Sequence, residues 1–196
     1  MGAVRFIREF LASPASVGAI LPSSPALARR ICAAADLDTT DMTIEFGPGT
    51  GVFTEEIIRR LPDPSRFFAI ESNPILADAT RNRCPSATVW TDCATSTKQY
   101  LAPYGRSTCD RIISGLPFAS FSPELQDRLL DTILDLLSPG GFFLTFAYLQ
   151  GLAMPAGRRF RQKLRERFGH TNVLMTPTVW ANIPPAFIYK ARRPAA

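Results

Sequence analysis

Three glycines at alternate positions, Gly47, Gly49 and Gly51, follow an apolar run over residues 42–46 that carries one acid, Glu45. A residue without a Cβ lets the backbone turn sharply and lets a ligand lie directly against it. Residues 52–61 then show helical spacing, so the glycines occupy a strand-to-helix crossover, and the new helix aims its unpaired amides into the same space. The spacing G-x-G-x-G differs from the G-x-G-x-x-G that holds a dinucleotide pyrophosphate. An acid just ahead of the turn would repel a pyrophosphate and suits a cationic ligand, such as the amino-acid end of S-adenosylmethionine. Twenty residues beyond Gly51, Glu71 closes the apolar run 67–70, where it is placed to accept hydrogen bonds from a ribose. Two strand-end acids around three glycines predict a site for a nucleoside-bearing cation.

Such a site needs strands that stop together at one edge. Hydrophobic periodicity predicts strands over 42–46, 67–71, 87–91, 110–114 and 142–148, helices over 53–61, 75–83, 96–101, 123–137 and 156–168, and late strands near 172–179 and 186–191. Regular βα alternation implies an α/β fold, a mostly parallel seven-stranded sheet with helices on both faces. The late pair, broken by Pro184-Pro185, implies a C-terminal antiparallel hairpin at the sheet edge. Ligands of such sheets lie at the carboxyl ends of the strands, where Glu45, Glu71, Asp92 and Ser114 all fall. Ahead of this core, residues 3–12 read as a short amphipathic helix with Phe6 and Phe10 on its apolar side. Ser24 and Pro25 read as the N-cap and first residue of a helix to about residue 35. Residues 1–35 are expected to form a helical lid or membrane-contact segment of a single domain, residues 1–196.

At these positions the chain resembles the class I S-adenosylmethionine-dependent methyltransferases, with residues 45–51 similar to their first motif and Glu71 to their second. The resemblance implies their Rossmann-like fold, S-adenosylmethionine as cofactor and S-adenosylhomocysteine (SAH) as product. It implies donor contacts from Glu45, Gly47, Gly49, Gly51, Glu71, Asp92, Cys93 and Ser114. Asp92 matches a third motif, whose acid or amide holds the adenine amino group, with Cys93 beside the ring. Ser114-Gly115-Leu116-Pro117-Phe118 stands where amino-group methyltransferases hold the nitrogen to be methylated. Ser114 and Leu116 are the expected catalytic contacts, through carbonyls that accept from the amine, with Pro117 stiffening the turn. Enzymes acting on adenine commonly resemble Asn-Pro-Pro-Tyr there, and this chain has Ser114 in place of the amide. His170 is either a helix-end cap or a base.

The string Phe6-Ile7-Arg8-Glu9-Phe10-Leu11, with Pro14, residues 17–20 and Pro22-Ser23-Ser24, taken together with Ser114-Gly115-Leu116-Pro117, is similar to the bacterial phospholipid N-methyltransferases and the related ornithine-lipid N-methyltransferases. That similarity implies methylation of a lipid headgroup amine, phosphatidylethanolamine towards phosphatidylcholine or ornithine lipid, by a cytoplasmic enzyme peripheral on the inner face of the membrane. The net charge is +5, and residues 158–167 alone hold six basic residues and one acid, which equals that excess. Phe160, Leu164 and Phe168 stand four apart among them, an apolar stripe expected to enter the interface while Arg158, Arg159 and Arg161 meet an anionic surface. Three other readings fit the same motifs: an RNA adenine N6-methyltransferase whose basic helix contacts phosphates, a small-molecule amine methyltransferase, or a non-catalytic membrane-binding module. The expected partners are an anionic membrane surface and a lipid headgroup, with neither nucleic acid nor an obligate protein partner.

Composition sets outer bounds. A length of 196 residues with 46% hydrophobic residues suits one core-bearing domain. The four cysteines include no C-x-x-C pair and His170 is the only histidine, so no metal site is expected and free, buried thiols fit a reducing compartment. The apolar run 17–21 is shorter than the about 7 to 15 residues of a signal-peptide core, and no run approaches the about 18 residues of a spanning helix.

Overall fold

Alternation along short strands builds the centre of the molecule. The structure is a computed structural model and describes residues 23–195. Strand β1 (Thr43–Phe46) sends Ile44 and Phe46 into one apolar layer and Glu45 to the opposite side, and all four of its residues are buried. β2 (Phe67–Ile70), β3 (Thr88–Trp90), β4 (Cys109–Ser114) and β5 (Leu137–Tyr148) join it in parallel, while β6 (Val173–Met175) and β7 (Ala186–Arg192) complete a seven-stranded sheet. The order is β3-β2-β1-β4-β5-β7-β6, with β7 antiparallel to both neighbours, which is the predicted C-terminal hairpin.

Helices cover both faces, as the crossovers require. α1 (Pro25–Ala35) and α2 (Val52–Arg60) pack with Phe67, Ala69, Ile113, Leu144 and Ile188 on one face, together with Ala77 of α3 (Pro74–Arg83). α4 (Pro123–Leu136) and α5 (Pro155–Phe168) cover Ile44, Phe46, Ile112, Phe143 and Tyr189 on the other. Ser24 caps α1 as expected, its hydroxyl accepting from the Leu27 N–H at 3.2 Å. Leu27, Ile31 and Ala35 are fully buried, so α1 packs onto the core layer. The rest of the expected lid, with Phe6 and Phe10, lies outside the described residues.

Several bounds differ from the sequence reading for local reasons. β5 starts at Leu137, five residues before its expected start at 142, because Cys109 already pairs with Leu137 before the register shifts to Arg111 opposite Phe142. The intervening Ser138-Pro139-Gly140-Gly141 bulges out, with Gly140 at φ +79°. β6 stops at Met175, ahead of Pro177, which has no N–H for a ladder. The helix expected over 96–101 is a 3₁₀ segment, Ala94–Tyr100.

Candidate active site

Register decides which residues meet. Phe46 lies opposite both Ile70 and Ser114, and Ile70 lies opposite Trp90. The residues that follow each strand therefore leave the sheet side by side: Gly47 after β1, Glu71 after β2, Asp92 after β3 and Gly115 after β4. The Gly47 N–H donates to the Ile70 carbonyl (2.9 Å), the Gly115 N–H to the Phe46 carbonyl (2.8 Å) and the Asp92 N–H to the Glu71 carbonyl (3.1 Å). The sequence-predicted residues of the β1, β2, β3 and β4 ends are thus brought to one edge.

The glycine loop is held open on one side and pinned on the other. Gly47, Gly49 and Gly51 all have positive φ, from +62° to +80°, a conformation strained for other residues. At Gly49 a Cβ would meet nothing within 4 Å, whereas at Gly47 it would stand 2.6 Å from Leu116 Cδ2. The loop is fastened from α3, whose start is set by Asn73 accepting from the Ile75 N–H (2.9 Å) with Pro74 first in the helix. The Thr80 hydroxyl, fully buried, donates to the Gly49 carbonyl at 2.8 Å, and the Cys84 thiol reaches the Gly51 carbonyl at 3.7 Å. Neither contact has a local sequence signature, because each spans about thirty residues.

The two acids differ in what they do. Glu71 accepts from the Gly49 N–H (3.2 Å) and the Asn73 N–H (3.0 Å), so it ties the glycine loop to the end of β2. Burial raises its pKa above the usual carboxylate range, and the backbone amides offset part of that. Glu45 is fully buried on the α2 side, with the Thr54 hydroxyl of α2 donating to Oε2 at 2.7 Å and Oε1 without a partner among the described residues. Burial pushes its pKa up to about 8, against the Thr54 hydrogen bond and with a smaller push from Glu71. A cation beside it would favour its ionised form. An orphaned buried carboxyl oxygen next to a side-chain-free bend fits the cationic donor anticipated from the sequence.

At the β3 end, the Asp92 carboxylate accepts from the Cys93 N–H (2.6 Å), Gln99 Nε2 (3.1 Å) and the Tyr100 hydroxyl (2.8 Å). Trp90 stacks on Tyr100 with centroids 4.8 Å apart. Gln99 and Tyr100 carried no motif and enter only through the 3₁₀ turn. Cys93 is buried, its sulfur accepting from the Thr95 hydroxyl at 3.1 Å.

The loop after β4 is a turn closed by its own hydrogen bonds. Ser114 is fully buried, its hydroxyl accepting from the Leu116 N–H (3.2 Å) and its carbonyl from the Thr145 hydroxyl (3.2 Å). The Leu116 carbonyl accepts from the Phe118 N–H at 3.0 Å across Pro117 at φ −82°, ψ 70°, an inverse γ-turn. Among the described residues no donor reaches the Gly115 carbonyl. The free acceptor thus falls on Gly115, between the two residues singled out in the sequence. Phe118 anchors the loop, stacked on Phe160 of α5 at 4.7 Å.

That stacking corrects the reading of α5. Phe160, Leu164 and Phe168 are buried against the sheet, so the apolar stripe faces the core and does not enter a bilayer. Lys163 and Arg167 pair with Asp127 of α4, and Arg167 also with Asp131. Arg158 and Arg159 are exposed and Arg161 half-buried, and among the described residues none of the three has an acidic partner. Among the described residues the buried Nε groups of Arg161 and Arg165 have no acceptor. His170 follows α5 at the opposite edge of the sheet, just before Val173 opposite Ala191, and is no base for this site. Among the described residues no helix is long and apolar enough to cross a membrane.

No family model matches the chain. It is 28% identical over 191 residues to an ornithine lipid N-methyltransferase of Singulisphaera acidiphila, a match that covers 95% of this chain and 94% of that one. It is 34% identical over 113 residues to the ribosomal RNA small subunit methyltransferase A of Chlorobium phaeobacteroides, covering 57% of this chain and 40% of that one. Among solved structures, an O-methyltransferase from Bacillus cereus in complex with SAH aligns with a TM-score of 0.67 at 16% identity, over 97% of this chain and 90% of that one. The fold is thus the Rossmann-like class I methyltransferase fold expected from the sequence. The resemblance to a lipid N-methyltransferase extends over nearly the whole chain.

Proposed function

We propose that the chain is an S-adenosylmethionine-dependent N-methyltransferase that acts on the amine headgroup of a membrane lipid, phosphatidylethanolamine or ornithine lipid. The observation that carries the reading is the single edge shared by the open Gly49 bend, Glu71, Asp92 and the Gly115 carbonyl, which has no donor among the described residues. The whole-length similarity to an ornithine lipid N-methyltransferase supports the lipid substrate.

S-adenosylmethionine, when bound, supplies a methyl group already activated on a sulfonium. The residues that would hold it are Gly47, Gly49 and Gly51 through bare backbone, Glu71 and Asp92 through carboxylates, and Cys93 beside the base, with Glu45 supplying negative charge on ionising. The chain then has to align a neutral amine, and the Gly115 carbonyl accepts a hydrogen from it. No strong base sits in this loop. An alkyl amine of pKa near 10.4 loses about 4 kcal/mol in freeing its lone pair at neutral pH, so the proton goes to water before docking. Leu116, packed on Gly47, excludes water between the two loops.

Arg158, Arg159 and Arg161, without acidic partners among the described residues, support an anionic membrane surface as partner, peripheral at the cytoplasmic face. Incubation with labelled donor and separate phosphatidylethanolamine, ornithine lipid, soluble amine and RNA tests the reading. Label in a lipid is expected. Label only in RNA, the reading favoured by the partial similarity to the ribosomal RNA enzyme, or only in the soluble amine, overturns it.

A further inference from the structure

Resting on the reading of the substrate as a lipid, we infer that residues 176–185, which connect β6 to β7, are an anchor that seats the carboxyl edge of the sheet on a bilayer. Two large apolar side chains of this connection point out of the protein, Trp180 at 71% exposure and Ile183 at 74%. The backbone between them is held from within. Val179 bridges Ala186, and Asn182 is buried with Oδ1 accepting from the Ser24 N–H (2.9 Å) and Nδ2 donating to the Pro184 carbonyl (2.7 Å). An inward amide with two such partners fixes the connection while its apolar neighbours stay in solvent.

Its place in the fold matters as much as its exposure. Ala186 pairs with Tyr148, the last residue of β5, and the Pro185 carbonyl accepts from the Leu149 N–H at 2.9 Å. The connection therefore leaves the sheet at the edge that carries Gly49 and Gly115. α5 begins at that edge as well. Met154, its N-cap, is 55% exposed, and Gly157 lies so close to the Gly151 carbonyl that a Cβ would overlap it. The next turn presents Arg158 and Arg159, exposed and without acidic partners among the described residues. Exposed Trp and Ile, with Met154 and two arginines without acidic partners among the described residues at the same edge of the sheet, match a bilayer interface, where indole sits at headgroup level, aliphatic chains enter the acyl boundary and cations meet anionic headgroups. A nucleic acid would engage the arginines and the indole but leave Ile183 and Met154 in water. The anchor replaces the stripe of α5, which is spent on the core, and it sets the mouth of the site at headgroup depth.

Trp90 and Trp180 are the two tryptophans, so Trp90→Phe leaves Trp180 as the sole indole reporter. Phosphatidylglycerol vesicles are expected to shift its emission to the blue and to expose it to quenching by acyl-chain doxyl labels. No co-sedimentation with vesicles, co-sedimentation without the shift, or quenching by single-stranded RNA in place of vesicles overturns the inference. In a second arm, the Trp180→Ser, Ile183→Ser double variant is expected to partition about tenfold less to the same vesicles. Its donor binding by calorimetry and its methylation of lipid dispersed in detergent stay at wild-type level. Equal partitioning of variant and wild type overturns the anchor. If the wild type anchors as described yet methylates no lipid in detergent, the substrate reading fails and the anchor stands.

Discussion

The backbone of Gly115 lies on the carbonyl of Gly47 so closely that a Cβ built on Gly115 would stand 2.5 Å from that oxygen. The loop after β4 thus rests directly on the glycine loop after β1. Leu116 reinforces the contact from the same loop by filling the space where Gly47 lacks a side chain. On the proposed reading these are the donor and acceptor loops, and in-line transfer needs the close, fixed separation that such packing favours.

Gly115→Ala is expected to lower stability by about 1 to 3 kcal/mol through overpacking, and to lower kcat because the acceptor carbonyl moves. Gly49→Ala meets no neighbour and carries only the left-handed strain of about 1 to 2 kcal/mol, yet it should weaken donor binding more than Gly115→Ala does. Thermal melts beside calorimetry with S-adenosylmethionine read both effects. The reverse ranking of affinities would remove Gly49 from the cradle.

Glu45 makes stability depend on pH in a stated direction. Its pKa rises from the usual 4.5 to about 8 on folding, so between those values the folded state holds a proton that the unfolded state has lost. Stability then falls as pH rises through this window, by up to about 1.4 kcal/mol per pH unit. Glu71, raised in the same sense, adds to the slope. Glu45→Gln should flatten the slope without abolishing it, as read from urea unfolding between pH 5 and 8. An unchanged slope would place the shifted carboxyl elsewhere.

Thr80 tests whether α3 preorganises the cradle. Thr80→Val keeps the shape and removes the hydrogen bond to the Gly49 carbonyl, which should lower stability by about 1 kcal/mol and weaken donor binding severalfold. Donor affinity at wild-type level, measured by calorimetry, would show that the loop holds its conformation without α3.

On α5, core and surface separate cleanly. Phe160→Ala should lower stability by about 3 to 5 kcal/mol, because its ring stacks on Phe118 and meets Tyr189 edge-on. Arg158→Glu, Arg159→Glu and Arg161→Glu together should leave the melt nearly unchanged and reduce binding to anionic liposomes by about 1 kcal/mol or more per reversed charge. Liposome binding that ignores the three reversals would exclude this flank from the membrane surface.

The amino-acid sequence by itself determined the α/β architecture, the parallel order of crossovers and the glycine cradle with its strand-end acids, because those follow from short-range periodicity and from backbone conformations that only glycine adopts easily. It also determined the Ser24 cap, a three-residue signal. Tertiary structure alone decided the rest. An apolar stripe on a basic helix has the same 3.6-residue spacing whether it faces a sheet or a bilayer, and only packing placed Phe160, Leu164 and Phe168 inside. Thr80 on Gly49, Thr54 on Glu45 and Asn182 on Ser24 join residues separated by 31, 9 and 158 positions, which no local pattern encodes. The raised pKa of Glu45 likewise depends on what the folded chain withdraws from water, which no local pattern encodes.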